Sequence, residues 1–276
     1  MGESGSSDIF LEIGHADEET IARIVTRLEF RDTDPNFSAW RDRYLTAIDP
    51  ATAGAVLEVG AGTGVVAREV ARRTSPTTRI VAEDPSAPLL AAGREHAHRA
   101  GLEGRIDFVE GDVHHLDHPD HSFDVVIAHT VFSHIADPAR ALAEMARVVR
   151  PGGSVVVFDG DIASWTFTHP DPELNGAVHD ALLRTVAHNP LVMRRLPALA
   201  HSCGLRITGF DAHALAEAGQ GSYWLSTADT YVPVAARAGR IDAASSRGWL
   251  EWQHRASDSG EFFAVGNYYT YLLTPG

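Results

Sequence analysis

Three glycines at every second position follow a glutamate in Val56-Leu57-Glu58-Val59-Gly60-Ala61-Gly62-Thr63-Gly64. An apolar run enters this stretch and an amphipathic one leaves it, so the pattern predicts a strand, a tight turn and a helix. Glycines there let the backbone turn sharply and let a ligand lie against it. The helix start adds N–H groups that have no intrahelical partner. Spacing then decides between ligands. A dinucleotide fingerprint carries Gly or Ala at the sixth position from its first glycine. Counted from Gly60 that residue is Val65, whose branched side chain does not suit close helix–strand packing. The run His114-His115-Leu116-Asp117-His118-Pro119-Asp120-His121 is dense in metal-ligating types. Pro119 keeps it non-helical, and genuine metal sites usually draw a ligand from elsewhere in the fold. A surface loop is the preferred reading, and no metal is expected. All 23 basic residues are arginine, which excludes lysine Schiff-base chemistry and a P-loop.

The elements that must position these groups alternate in type. Asp17 opens a helix in which Ile21, Ile24, Val25 and Leu28 share a face, and Asp34-Pro35 ends it. A second helix covers Phe37 to Ile48. Strands are expected at 55–59, 79–82, 106–109, 123–128 and 154–158, with helices at 63–73, 86–100 and 138–149 between them. Continuous apolar strands alternating with amphipathic helices imply a parallel sheet covered on both faces. Helices at about 172–187 and 192–202 and strands at 205–210 and 262–273 complete the pattern. The stretch 213–260 is aromatic and irregular and receives no assignment.

The form E-x-G-x-G-x-G resembles motif I of the class I S-adenosylmethionine-dependent methyltransferases, and further segments resemble that family in the same order. Arg79-Ile80-Val81-Ala82-Glu83-Asp84-Pro85-Ser86 is similar to its second strand and the acid at its end. Gly111-Asp112-Val113 is similar to its adenine-contacting motif. Phe123-Asp124-Val125-Val126-Ile127-Ala128-His129 and Val148-Val149-Arg150-Pro151-Gly152-Gly153 are similar to its fourth strand and the turn into its fifth. The resemblance spans roughly residues 50–160. It implies an α/β, Rossmann-like seven-stranded sheet, mostly parallel with an antiparallel last strand, plus helical lid elements. It divides the chain into an N-terminal helical lid (1–48), a cofactor-binding core (49–160) and a part (161–276) supplying acceptor-pocket helices and the last two strands of the same sheet.

The resemblance also assigns roles, with S-adenosylmethionine as the cofactor. Gly60, Ala61, Gly62 and Gly64 would cradle its methionine part, and Glu58 would balance its ammonium group directly or through water. Asp84 would hold the ribose hydroxyls, because a carboxylate accepts two hydrogen bonds from a cis-diol. Pro85 follows it in the same motif, and Glu83, one residue earlier, is the fallback. Asp112 and the Val113 N–H, after Gly111, would meet the adenine. On the acceptor side, His129 ends the fourth strand and also faces the cofactor, while His134 follows about one turn later. Either is a candidate base or a packing residue. Asp161 would orient the acceptor or cap the next segment, and Asp159 is its neighbour. Trp165, Tyr223 and Trp224 line an apolar pocket or belong to the core.

Composition narrows the partners. The chain has 276 residues and a net charge of −14, with 44% hydrophobic residues, enough to bury a sizeable core. It has no basic stripe for nucleic-acid phosphates and no apolar run long enough to span a bilayer. Cys203 is the only cysteine, so a reducing compartment is the natural setting. The polar start, MGESGSSDIF, lacks the layout of a signal peptide, and the match of Gly2 and Ser6 to a myristoylation pattern is of the kind that arises by chance. The expectation is a cytoplasmic methyltransferase, monomer or homodimer, that acts on an O, N or C atom of a small molecule, such as a specialised metabolite. The alternatives are a methyltransferase fold that keeps the cofactor for a non-methylating reaction and a non-catalytic binding module.

Overall fold

Runs such as Val56-Leu57 and Val125-Val126-Ile127 alternate sides along a strand, so an apolar run throughout demands cover on both faces of the sheet. The computed structural model describes residues 18–276 and supplies that cover. The tail at 1–8, the Gly2 and Ser6 pattern and Asp17 lie outside the described residues. Helices α1 (Glu18–Thr33) and α2 (Pro35–Ile48) come first. Then β1 (Ala55–Val59), α3 (Val65–Arg73), β2 (Arg79–Asp84), α4 (Ala87–Arg99), β3 (Asp107–Glu110), β4 (Phe123–His129), α5 (Pro138–Val148) and β5 (Val149–Phe167) alternate. The chain continues with α6 (Pro172–Leu183), α7 (Val192–Ser202), β6 (Leu205–Gly219), α8 (Tyr223–Arg237), α9 (Ala243–Ser259) and β7 (Phe262–Pro275).

The sheet order is β3-β2-β1-β4-β5-β7-β6. β7 runs antiparallel to both neighbours and the other pairings are parallel, as the resemblance implied. Alternate side chains split into two cores. Val56, Ile80, Ile127 and Phe158 pack with α2, α3, α6, α8 and α9, and Leu57, Val81, Val126 and Val157 pack with α5 and α7. Local chemistry fixes the joints. Asp124 Oδ2 accepts from the N–H groups of Gly54 and Ala55 (2.6 and 2.8 Å), which pins the start of β1 to β4. Asp137 caps α5 by accepting from Arg140 N, with Pro138 in the first turn.

Chain direction across the sheet reverses between β1 and β4, which opens a crevice beyond their carboxyl ends. Strands β5 and β6 far outgrow their expected lengths there. β5 continues to Phe167 with an irregularity between Asp161 and Thr166, because β7 pairs with it past the core. β6 follows β7 out to Gly219. The unassigned stretch holds the end of β6 and the helices α8 and α9. Pro233 inside α8 masks its helical pattern. The caps of α9 were legible: Asp242 accepts from Ala244 N and Ser245 N, and Gly260 closes it at φ 80. No helix among the described residues is long and apolar enough to cross a membrane.

Candidate active site

β1 delivers the glycine loop into the crevice. Gly60 and Gly62 hold φ values of 60° and 54°, which L side chains rarely adopt. A Cβ on Gly60 would lie 2.5 Å from Val131 Cγ2. Gly60→Ala is therefore expected to lower stability by about 1–3 kcal/mol and to weaken ligand binding. Thermal melts with and without ligand would check this; an unchanged melting temperature would contradict it. Asp84, at the end of β2, accepts from Gly62 N (2.7 Å) and Ser86 N (2.8 Å), so the acid braces the loop it was expected to serve. Two carboxylate oxygens have lone pairs beyond those two bonds, and Asp84 lines the crevice.

Glu58 lies buried beneath the loop and accepts from Ala67 N at 2.7 Å. Burial pushes its carboxyl up to about 8, against the opposing pull of the Ala67 N–H and Arg68. An acid held that high lacks a sufficient cationic neighbour. A ligand with an ammonium group fits it, while Asp84 suits hydroxyls. The donor set of the crevice thus matches S-adenosylmethionine.

Helices α1 and α2 close the crevice with Leu28, Arg31, Phe37 and Arg41, and the whole encloses about 660 Å³, part of it open to solvent. Glu29 fastens α1 over the loop, accepting from Thr63 Oγ1 (2.6 Å) and Arg68 Nη2 (2.7 Å). Opposite the loop, β4 ends at His129 and Thr130. Thr130 holds φ 59°, an outlier for a β-branched residue and a form of strain that collects at functional sites. Its hydroxyl donates to His129 O (2.7 Å) and accepts from Arg31 Nη2 (2.8 Å).

A second cavity of about 470 Å³, also partly open to solvent, adjoins the first and shares Leu28, Arg31, Thr130 and His134 with it. Its remaining wall includes Arg27, Ser133, Asp159, Trp165, Tyr223, Tyr231 and Tyr268. The Tyr223 and Tyr268 hydroxyls meet at 2.8 Å. Asp159 accepts from Ser133 N, Ser133 Oγ and Gly160 N at 2.7–3.0 Å. Burial nevertheless raises its carboxyl, with the charge of His134 pulling the other way.

The expected residues fall into three groups. Glu58, Gly60, Ala61, Gly62, Asp84 and His129 line the first cavity, and His134 lines both. Gly64, at φ 70°, starts α3 just behind them. Pro85, Gly111, Asp112 and Val113 do not line it; Pro85 is exposed, and Asp112 is exposed and engaged by His114 Nδ1 at 2.6 Å. Glu83, the fallback acid, pairs instead with His118 at 2.8 Å. Asp161 lines neither cavity, because Arg194 on α7 grips its carboxylate through Nε and Nη2 (2.8–3.1 Å). His129 is placed for the cofactor and poorly for base catalysis. Its Nδ1 lies 3.0 Å from the Tyr44 hydroxyl, its ring stacks on Phe158 at 4.4 Å, and burial holds it well below the usual imidazole range, with Arg31 and Arg41 adding to the effect. Trp224 belongs to the core, donating to Leu215 O. The histidine run is a loop that pairs with its surroundings, and no cluster among the described residues could hold a metal.

Arg27, Arg31, Arg41 and Tyr44 were not singled out from the sequence. A signal existed: Arg41 falls on the apolar stripe of Phe37, Tyr44 and Leu45, and it is buried there. Arg27 and Arg31 likewise share one side of α1 at i, i+4 spacing.

Known proteins share this fold. Residues 57–157 match a family model described as a methyltransferase domain. The chain is 28% identical to an uncharacterized 37.1 kDa protein in transposon TN4556 of Streptomyces fradiae, over 93% of this chain and 72% of that one. It is 32% identical to the ubiquinone/menaquinone biosynthesis C-methyltransferase UbiE of Geobacter sulfurreducens, over 54% of this chain and 59% of that one. Matches to UbiE proteins thus span about half of the relatives' length. Among solved structures, a putative methyltransferase from Bacillus halodurans superposes with TM-score 0.59 at 16% identity, covering 85% of this chain and 98% of that one. Residues 57–157 thus match a methyltransferase domain, and the sheet order and glycine loop around them resemble those of the class I S-adenosylmethionine-dependent methyltransferases.

Proposed function

We propose that the protein transfers a methyl group from S-adenosylmethionine to a small, partly apolar acceptor, with a specialised metabolite as the acceptor class. The observation that carries this reading is the junction of the two cavities at Leu28, Arg31, Thr130 and His134. Glu58 would hold the cofactor's ammonium group, Asp84 its ribose hydroxyls, and the Gly60–Gly62 backbone its methionine part. When bound, the cofactor supplies a methyl group already activated on a sulfonium, so the protein need mainly align the acceptor and exclude water. The rings of Trp165, Tyr223, Tyr231 and Tyr268 give the acceptor cavity an aromatic portion beside its polar one, and the similarity to C-methyltransferases of ubiquinone/menaquinone biosynthesis supports a ring-bearing acceptor. His134, at the junction, would take the proton that an O–H, N–H or acidic C–H acceptor must lose, and Asp159 would favour the resulting imidazolium.

Calorimetric titration with S-adenosylhomocysteine, with NAD and NADP as controls, tests the cofactor half. Wild type is expected to bind in the micromolar range (about −8 kcal/mol), and Asp84→Ala is expected to lose at least about tenfold in affinity as hydroxyl bonds to a charged group vanish. Transfer of labelled methyl groups to a panel of phenols, quinols and amines tests the other half. Binding of NAD in place of S-adenosylhomocysteine would overturn the reading.

A further inference from the structure

Arg27 is a cation that lines the acceptor cavity with only neutral partners. Its Nη1 and Nη2 reach the Thr230 and Thr227 hydroxyls at 3.4 and 3.3 Å, at the long end of hydrogen bonding. Its guanidinium lies 5.1 Å from the centre of the Tyr231 ring. Among the described residues no carboxylate pairs with it. Asp159 shares the cavity, but its oxygens accept from Ser133 and Gly160. Several other buried or half-buried arginines do have an anion: Arg68 pairs with Glu29, Arg73 with Asp42 and Glu69, and Arg147 with Glu144, while Arg31 and Arg105 bond to neutral oxygens. A half-buried guanidinium beside three tyrosines has given up part of its hydration without gaining an anion, which is costly unless a ligand supplies one.

Arg31 does not fill the same role. It donates to Thr130 Oγ1 and lines the cofactor cavity as well, so it stands between the two ligands. Arg27 lines the second cavity and not the first. One forked guanidinium offsets one negative charge and matches the two oxygens of a carboxylate. A phosphate dianion would ask for a second cation.

We infer that Arg27 anchors a carboxylate on the acceptor, so that the acceptor is an aromatic or partly apolar acid. This rests on reading the second cavity as the acceptor site. Around the anchored acid, the tyrosine rings would flank the apolar body and His134 would face the atom to be methylated.

The test uses the whole chain saturated with S-adenosylhomocysteine. Benzoate, 4-hydroxybenzoate, 3-phenylpropionate and 1-naphthoate are titrated by calorimetry beside their neutral amides and inorganic phosphate. At least one acid is expected to bind about tenfold or more tightly than its amide, the scale of a charge-assisted pair. Arg27→Gln is expected to erase that preference while S-adenosylhomocysteine still binds. Should Arg27→Gln fail to bind S-adenosylhomocysteine, Arg27→Lys decides: the charge without the fork is expected to keep only part of the preference. The inference is overturned if no acid binds better than its amide, if the preference survives unchanged in the variant, or if phosphate outbinds every carboxylate. Failure of wild type to bind S-adenosylhomocysteine would instead overturn the underlying reading of the site.

Discussion

Raising the pH from 6.5 to 8 is expected to cost the ligand-free protein about 2 kcal/mol of stability that a Glu58→Gln variant does not lose. The folded carboxyl titrates at about 8, against 4.5 for an ordinary glutamate. Between those values the native state holds a proton that the unfolded chain has released. The unfolding free energy therefore falls as pH rises, until the folded group also ionises near 8. Burial is the dominant cause, and nearby Asp84 adds to it. The Ala67 N–H, Arg68 and Arg41 oppose without overcoming it. His129 has the opposite sign. Its depressed value adds stability as pH rises through the imidazole's ordinary value of 6.5, and because both proteins share it the comparison removes what remains of it in this window. Asp84, Asp159 and Glu83, all raised, are common to both proteins, and subtracting the two pH profiles isolates Glu58. Urea unfolding at half-unit pH steps would measure it. Parallel profiles would mean that burial does not hold the Glu58 carboxyl up.

The same proton couples to the cofactor. An ammonium group placed beside Glu58 favours the ionised carboxylate, so ligand binding must expel the proton below about pH 8. The affinity for S-adenosylhomocysteine is then expected to rise toward tenfold per pH unit across the same window and to be flat in Glu58→Gln. Stability lost with rising pH and affinity gained with it are two faces of one linkage, and they must disappear together.

The glycine-loop part of the first cavity was legible because it is local. Glu58, Gly60 and Gly62 lie in one strand-turn unit, and Asp84 ends the adjacent strand, so sequence order and spacing carry their arrangement. The acceptor half was not, because it is assembled from afar. Tyr223 and Tyr231 come from α8, Tyr268 from β7 and Arg27 from α1, joined only by the fold. The error over Asp161 has a simple origin. Asp159 and Asp161 sit two apart on one strand and so point to the same face, which left the sequence without a means of ranking them. The neighbour that separates them is Arg194, 33 residues further on, and it withdraws Asp161 from the cavity wall. His129 was misjudged on similar grounds. The end of a strand marked it as near the ligand, but its proton affinity is set by burial, with Tyr44 and Phe158 packed on it, and by Arg31 and Arg41 from the N-terminal helices.

That difference between the two histidines yields the last prediction. His134→Gln is expected to lower methyl transfer at saturating cofactor by about 10²–10⁴-fold, the usual span for loss of a general base. Its affinity for S-adenosylhomocysteine should change little, because none of the groups assigned to hold the cofactor is touched. His129→Gln is expected to do the reverse. The His129 ring is packed on Phe158, bonded to the Tyr44 hydroxyl and held neutral, so it has no capacity to carry a proton near pH 7. Losing it disturbs the cavity wall beside the glycine loop and weakens cofactor binding, and the remaining transfer rate recovers when the cofactor is saturating. Pre-steady-state transfer of labelled methyl groups, onto an acceptor identified by the panel above, separates the two effects. Wild type and His129→Gln should share the acidic limb of the pH–rate profile, and His134→Gln should lack it. Equal loss in both variants, or retention of that limb in His134→Gln, would remove His134 from the role of base and leave alignment as the protein's main contribution to the transfer.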